Sequence, residues 1–145
     1  MFNGRILVAT DGSTLSEKAV TVAVDLAKAV GAELVAFTAV PLYPYAGIGE
    51  SSAIAGGEYD GRAGAEASAR LAVVERRATQ AGVACHTSML EDDAPHRAIV
   101  AAADKHACGL IVMASHGRRG LNAVLLGSET QKVLTHSTIP VMVYR

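Results

Sequence analysis

Short apolar runs alternate along the chain with longer segments in which apolar residues recur every three to four positions. Five of the runs are predicted to be strands, and the first and fourth are almost continuously apolar. Continuous apolar runs are typical of strands that are covered on both faces of a sheet. The predicted strands are Arg5–Thr10, Glu33–Val40, Val83–Leu90, Leu110–Ala114 and Pro140–Tyr144.

The segments between these strands have the period of amphipathic helices. The four predicted helices begin near Leu15, Ala65, Ala94 and Ser128 and end near Gly31, Gly82, His106 and His136. The rows predicted to face the sheet are Leu15, Ala19, Val22, Ala23, Leu26 and Val30 in the first helix, and Ala65, Ala69, Ala72, Val73 and Arg76 in the second, with Arg76 as the polar tip of its row. Asp92 or Asp93 is predicted to cap the third helix, and Pro95 lies in its first turn.

The alternation of strands and helices predicts one α/β domain over residues 1–145, with a five-stranded parallel sheet and helices on both faces. Right-handed crossovers restrict the topology, and we expect the strand order 3-2-1-4-5 of Rossmann-like folds. The switch point then lies between strands one and four, where such sheets bind their ligands. We therefore expect Asp11 and the segment after Ala114 to face each other across a ligand site.

Residues 41–61 interrupt this pattern. The segment has no clear period and is rich in Gly, Ser and Tyr. A loop of this length inside a small domain is usually functional or disordered. It is predicted to be a long flexible loop at the binding edge of the sheet, either a lid over a ligand or a mobile insertion.

Residues 114–131 (ASHGRRGLNAVLLGSETQ) carry the strongest signal for binding chemistry. The segment leaves a buried strand and enters a helix at Gly127, and such a helix start offers free N–H groups and a positive dipole end to an anion. Gly117 and Gly127 allow close backbone approach and positive φ. Ser128 and Gln131 have the spacing of a capping box. We predict a polyphosphate site, and an ordinary strand–turn–helix connection is the alternative.

The other half of the expected site follows strand one. Asp11 ends this strand, and Ser13 is placed to cap the next helix. A carboxylate repels phosphate, but it accepts hydrogen bonds from ribose hydroxyls or contacts metal-bound water. Asp11 alternatively closes an Asx turn. On the facing loop, His116, Arg118 and Arg119 add donors and positive charge.

These motifs resemble the universal stress protein family over essentially the whole chain. VATDGS at residues 8–13 resembles the N-terminal aspartate motif of the family, and VMASHGRRG together with LLGSETQKVLTHSTIPVMVY resembles its C-terminal signature. Members of the ATP-binding branch carry G-x2-G-x9-G-[ST], which Gly117, Gly127 and Ser128 match. Ala114 stands at the first glycine of this motif and adds one methyl group.

The resemblance implies a site for ATP or a related adenine nucleotide, with Mg²⁺ held mainly by the phosphates. Asp11 would lie near the ribose and Val40 near the adenine, while the helix start at Ser128 would hold the phosphates. The implied nucleotide-binding residues are Ala9, Thr10, Asp11, Val40, Met113, Ala114, His116, Gly117, Gly127, Ser128, Glu129 and Thr130.

Composition limits the classes of partner that the protein is expected to bind. The 145 residues are 50% apolar and 19% charged, which is the balance of a globular domain. A net charge of −1 gives no basis for nucleic-acid binding. The sequence has no run of roughly 20 apolar residues and no signal peptide, so neither a membrane span nor export is predicted and cytoplasmic residence is expected.

The last strand predicts an interface. Residues 139–145 are apolar and form an edge of the expected sheet, and an exposed apolar edge promotes pairing with another chain. We predict a homodimer in which this strand pairs antiparallel across a two-fold axis, as the resemblance also implies. A monomer whose own loop covers the edge is the alternative.

The functional prediction is a nucleotide-binding regulatory protein, and the link to stress survival comes from the resemblance alone. The alternatives are a slow ATPase or autophosphorylating enzyme, and a nucleotide-free dimeric adaptor. No general base or nucleophile can be placed in the sequence, which favours a binding protein over an efficient enzyme. No catalytic residue and no metal ligand are assigned.

Overall fold

The computed structural model describes residues 2–42, 50–117 and 125–145. Strands and helices alternate along these ranges as the sequence predicts. The elements are β1 (Arg5–Ala9), α1 (Thr14–Val30), β2 (Glu33–Val40), α2 (Glu50–Ala81), β3 (Cys85–Glu91), α3 (Pro95–Lys105), β4 (Leu110–Ala114), α4 (Ser128–His136) and β5 (Val141–Tyr144).

The strands form one parallel sheet in the order β3-β2-β1-β4-β5, which confirms the predicted topology. β1 lies at the centre, where Ile6 is in register with Leu34 of β2 and with Leu110 of β4. The switch point therefore lies between β1 and β4. Ligands of such sheets bind beyond the carboxyl ends of the strands at this point.

Two apolar layers cover the sheet. Ile6 and Val8 of β1 pack into the layer that contains the buried faces of α1 and α2. Leu7 and Ala9 pack into the opposite layer with α3 and α4. Because alternate side chains of the strand enter different layers, both faces of β1 must be apolar, which explains its continuous apolar run.

The ends of α1 are set by local sequence. Ser13 Oγ accepts a hydrogen bond from the N–H of Ser16 at 3.3 Å, and Gly31 ends the helix in the left-handed conformation with φ of 70°. Both features confirm the sequence analysis. The buried row is rotated relative to the predicted one, so that Val30 is 53% exposed. The row consists of Ser16, Ala19, Val20, Ala23, Val24 and Ala27.

α2 is longer than the sequence analysis predicted. It spans 32 residues and begins at Glu50, so the prediction of a loop across 41–61 is wrong from residue 50 onward, while residues 43–49 lie outside the described part. Once the packed part of a helix has formed, adding further turns costs less than nucleation, which allows the helix to extend through weak helix formers. No helix in the described ranges, α2 included, is both long enough and apolar enough to cross a membrane.

The buried face of α2 was also predicted wrongly. The residues that face the sheet are Ala67, Leu71, Val74 and Ala78. In an alanine-rich helix, small residues occur on several sides and do not mark one face. The larger side chains of Leu71 and Val74 bury more apolar area and therefore set the rotation of the helix.

The start of α3 differs in detail from the prediction. Its N-cap residue is Ala94, which has no capping side chain, and Pro95 begins the helix as expected. Asp92 accepts a hydrogen bond from the N–H of Ala94 at 2.9 Å and also pairs with Arg97. The carboxylate thus orders the approach to the helix but does not cap its first turn.

Candidate functional site

A cleft of about 850 Å³ opens beyond the carboxyl ends of the central strands. Its volume lies within the range of roughly 300–1,000 Å³ that is common for small-molecule sites. All twelve residues that the resemblance implies line this cleft. The fold therefore brings together the ends of β1, β2 and β4 and the start of α4, which are far apart in the sequence.

On the β1 side of the cleft, the side chains of Thr10 and Asp11 form hydrogen bonds within the protein. Thr10 Oγ1 accepts from the N–H of Gly12 at 3.1 Å and lies 3.1 Å from Ser16 Oγ. Asp11 Oδ1 accepts from the N–H of Ser13 at 2.9 Å, which confirms the Asx turn. This turn sets the direction of the Asp11 carboxylate at the switch point.

Gly117 packs against this carboxylate. A Cβ atom at position 117 would overlap with Oδ2 of Asp11. Gly117 is not among the described residues with positive φ, so the position requires space and not an unusual backbone conformation. The contact confirms that Asp11 and the segment after Ala114 face each other across the switch point.

Gly127 makes a similarly close approach at the other end of the loop. A Cβ atom there would lie 3.2 Å from both His116 Cα and the Ser115 carbonyl oxygen. The Gly127 N–H donates to that same carbonyl oxygen at 2.7 Å. The φ of Gly127 is −61°, so the expectation of positive φ is wrong for both glycines, and close packing explains them instead.

α4 begins without a capping side chain. Gly127 is its N-cap residue, and the predicted capping box does not form, because Gln131 Nε2 donates to the carbonyl oxygen of Leu126 at 2.9 Å. Among the described residues, none accepts a hydrogen bond from the N–H groups of Ser128 or Glu129. Such donors and the positive end of the helix dipole are suited to binding an anion.

The Glu129 side chain contacts α3 and not the first turn of its own helix. Its Oε2 accepts from the N–H of His96 at 2.8 Å and lies 2.9 Å from the ring Nδ1, while Lys132 is 3.3 Å from Oε1. Ala94 leaves the start of α3 uncapped, and Glu129 supplies the missing acceptor. A carboxylate at this position is therefore compatible with an anion site at α4.

The electrostatics of Glu129 follow from these contacts. Burial by itself would raise its pKa, but the hydrogen bonds from the His96 backbone and ring and from Lys132 outweigh burial and lower the pKa below its usual value of 4.5. The carboxylate is consequently ionised near neutral pH. Its charge is balanced by α3 and Lys132, because the N-terminus of a helix attracts negative charge.

Thr130 fastens α4 to the end of β4. Its side chain is buried, and Oγ1 donates to the carbonyl oxygens of Ala114 at 3.0 Å and Ser115 at 3.2 Å. The hydroxyl proton is therefore already used in hydrogen bonding within the protein. Ala114 itself lies in the strand without positive φ, and its methyl group packs in the core layer of α1 and α2, so alanine fits where the motif has glycine.

The neighbouring residues Ser115 and His116 do not form an exposed nucleophile and base. Ser115 Oγ lies 3.2 Å from His116 Nδ1, but Ser115 is 2% exposed and does not line the cleft. A nucleophile has to reach its substrate, which this hydroxyl does not. Within the described ranges, no group of three or more His, Cys, Asp or Glu side chains is arranged to hold a metal ion.

Sequence analysis did not predict that α2 and the start of α3 form one wall of the cleft. The additional lining residues include Arg62, Ala63, Glu66 and Arg70 of α2, and Asp93, Pro95 and Ile99 around the start of α3. Positions 62, 66 and 70 are four apart, so they share one helical face, and this spacing was the available signal. The assignment of residues 41–61 to a loop obscured how close α2 lies to the site.

Comparison with known proteins assigns this chain to a family. The family model of the universal stress protein family matches residues 3–145. The chain belongs to this family. Universal stress protein MJ0531 of Methanocaldococcus jannaschii is 37% identical over 142 residues, which cover 97% of this chain and 81% of that protein.

Solved universal stress proteins share the architecture. Universal stress protein UspA from Lactobacillus plantarum superposes with a TM-score of 0.87 at 24% identity, covering 100% of this chain and 99% of that one. A universal stress protein in complex with cAMP superposes with a TM-score of 0.72 at 28% identity, covering 97% of this chain and 96% of that one. The first similarity concerns the fold alone, whereas the second comes from a relative that holds an adenine nucleotide.

Proposed function

We propose that this universal stress protein is a regulatory stress-response protein that binds an adenine nucleotide, with ATP as its ligand. The observation that carries the proposal is the uncapped start of α4 in the cleft, where Gly127 has no side chain to fill the space beside Ser115 and His116. The cAMP complex of a relative that is 28% identical supports the ligand class.

The phosphates would lie against the N–H groups of Ser128 and Glu129, with the Ser128 hydroxyl as a further donor. Asp11 would accept hydrogen bonds from the ribose hydroxyls, because the Asx turn already fixes its carboxylate at the switch point. Val40, which is buried at the end of β2, would provide apolar surface for the adenine. Thr10 and Thr130 would shape the site through their internal hydrogen bonds.

Mg²⁺ would accompany the nucleotide and be held mainly by phosphate oxygens, as is usual for Mg²⁺ at nucleotide sites. When bound, the ion neutralises part of the phosphate charge. Asp11 lines the cleft at the switch point, and its carboxylate would accept a hydrogen bond from a metal-bound water.

The proposal includes a cytoplasmic homodimer. β5 is an edge strand, its residue Met142 is 38% exposed, and Val141 and Val143 are half-buried. An apolar edge of this kind is stabilised by antiparallel pairing with a second copy. Light scattering at micromolar concentration tests the dimer, and a concentration-independent species of 14.9 kDa would rule it out.

Titration of the purified protein with Mg·ATP, AMP and cyclic AMP, followed by calorimetry and thermal unfolding, tests the ligand. A ligand at one hundred times its Kd stabilises the folded state by about 2.7 kcal/mol, which thermal unfolding detects readily. Stabilisation by ATP supports the proposal. If no nucleotide binds, the adaptor function takes its place.

Turnover separates a binding protein from a slow enzyme. Steady-state release of phosphate from ATP is measured for the wild type and for Asp11→Ala. We expect release no faster than the uncatalysed background in both. Release that exceeds background and disappears in Asp11→Ala would instead identify an ATPase.

A further inference from the structure

α2 contributes a charged face to the cleft. Arg62, Glu66 and Arg70 follow each other at four-residue intervals, and all three line the cleft. α2 packs on one face of the sheet and α4 on the other. The cleft at the strand ends is therefore bordered by the α2 face on one side and by the open start of α4 on the other.

Arg70 is poorly paired for its degree of burial. Its side chain is 19% exposed, and its ion pair with Glu66 is long, at 3.7 Å, to a carboxylate that is itself 59% exposed. Within the described ranges the guanidinium makes no hydrogen bond that would use its five N–H donors, although buried charges are normally paired and hydrogen-bonded. A ligand oxygen in the cleft would supply the missing acceptors.

A neighbouring cavity locates Arg70 more closely. A space of about 250 Å³ between α1 and α2 is lined by Thr10, Gly12 and Arg70 together with residues of both helices. Arg70 thus lies between this space and the main cleft, next to the loop that carries Asp11. Arg62 lies two helical turns nearer to the start of α2, at a rise of about 1.5 Å per residue.

The charges of the cleft point to the same role. Asp93 pairs with Arg97, and Glu129 pairs with Lys132, and neither cation lines the cleft. Among the described lining residues, the permanent cations are Arg62 and Arg70. The helix start of α4 contributes only about half a positive charge, which is less than a polyphosphate requires.

We propose that Arg62 and Arg70 bind the nucleotide phosphates from the α2 side and make affinity increase with the number of phosphates. This inference rests on the proposed function and names the groups that would select a polyphosphate over adenosine. Phosphate oxygens accept paired hydrogen bonds from a guanidinium and are better partners than the distant Glu66 carboxylate.

The test compares Arg62→Gln, Arg70→Gln and the double variant with the wild type. Each is titrated with adenosine, AMP, ADP and ATP in the presence of Mg²⁺. We expect each substitution to weaken ATP binding about tenfold, the double variant about a hundredfold, and adenosine binding to remain unchanged. Arg76→Gln is the matched control, because Arg76 is exposed on the same helix and does not line the cleft.

A second variant separates charge from geometry. Arg70→Lys keeps the positive charge but loses the planar pair of donors, so we expect an ATP affinity between those of the wild type and Arg70→Gln. Unchanged thermal unfolding of the free variants confirms that they fold.

Wild-type binding of ATP that is unaltered in Arg62→Gln and Arg70→Gln would overturn this inference alone. An equal loss for adenosine and ATP would overturn it as well, because the arginines would then not act on phosphate. A wild type that binds no nucleotide would overturn the proposed function and this inference together.

Discussion

The starts of α1 and α4 occupy equivalent places in the fold, but they differ in whether a side chain caps the helix. Each helix follows one of the two strands at the switch point. At α1, Ser13 accepts from the N–H of Ser16, and Asp11 accepts from the N–H of Ser13. At α4, Gly127 offers no side chain, and the first two helical residues, Ser128 and Glu129, line the cleft. A side chain of the loop caps α1, whereas no described side chain caps α4.

α3 represents an intermediate case. Its N-cap residue, Ala94, has no capping group, but Glu129 reaches across from α4 to accept the N–H of His96. The acidic residue in the first turn of α4 thus caps a different helix. Of the helix starts at α1, α3 and α4, only that of α4 lacks a described side-chain acceptor. This comparison supports the proposal that a phosphate binds at the start of α4.

The largest effect is expected from filling the space at α4. Gly127→Val places a branched side chain against His116 Cα and the Ser115 carbonyl oxygen, which are backbone atoms that cannot rotate away. We expect ATP affinity to fall by at least about a hundredfold, which corresponds to about 2.7 kcal/mol. Calorimetric titration measures the loss.

Gly64→Ala is the matched control for this experiment. A Cβ at position 64 meets no atom within 4 Å, and alanine favours the helix over glycine by about 0.5–1 kcal/mol. This variant should bind ATP like the wild type and unfold at a slightly higher temperature. Full ATP binding by Gly127→Val would show that the start of α4 does not hold the phosphates.

Removal of the Thr130 hydroxyl should loosen α4 from β4. Thr130→Val leaves the Ala114 carbonyl oxygen without a donor in a buried position, which costs about 1–3 kcal/mol in the free energy of unfolding. Thr135→Val removes an exposed hydroxyl from the same helix and should change stability by less than about 0.5 kcal/mol. Denaturant unfolding measures both, and equal effects would contradict the anchoring role.

Removing the side-chain cap of α1 tests the comparison at the other helix. Ser13→Ala removes the cap, and we expect a loss of about 1 kcal/mol in the free energy of unfolding. Because Ser13 uses the N–H of Ser16 within the protein and Ser13 does not line the cleft, ATP affinity should change by less than about twofold. A large loss of ATP affinity with unchanged stability would mean that α1 also contacts the ligand.

The smallest effect is expected from changing Glu129, the residue of α4 that caps α3. Glu129→Gln should lower the free energy of unfolding by about 0.5 kcal/mol at pH 7, because the partly exposed carboxylate loses its charge opposite His96 and Lys132. Folding lowers the pKa of Glu129 below 4.5, so its contribution is present above that pH and is lost as the pH falls through the folded-state pKa. Wild type and variant should therefore converge in acid.

Glu91→Gln is the control for this pH dependence, because Glu91 is exposed at the end of β3 and no described residue pairs with it. Its stability should follow the wild type at all pH values. A difference between Glu129→Gln and the wild type that grows in acid would contradict the assignment of Glu129 as a cap.

Local sequence determined the features that depend on residues a few positions apart. The apolar runs predicted the strands, and Ser13 and Gly31 predicted the ends of α1. The motif spacing identified Gly117 and Gly127, which both line the cleft. Such features follow from backbone conformation and short-range hydrogen bonds, which the residue types themselves dictate.

Only the tertiary structure decided how these parts are used. Glu129 and His96 are 33 positions apart, and no local pattern indicates that this carboxylate caps α3. The rotation of α2, which brings Arg62 and Arg70 to the cleft, was set by the packing of Leu71 and Val74. Local sequence thus determined which groups the chain offers, whereas long-range packing decided which of them remain available to a ligand, because a hydrogen-bonding group is free only when the fold supplies no other partner.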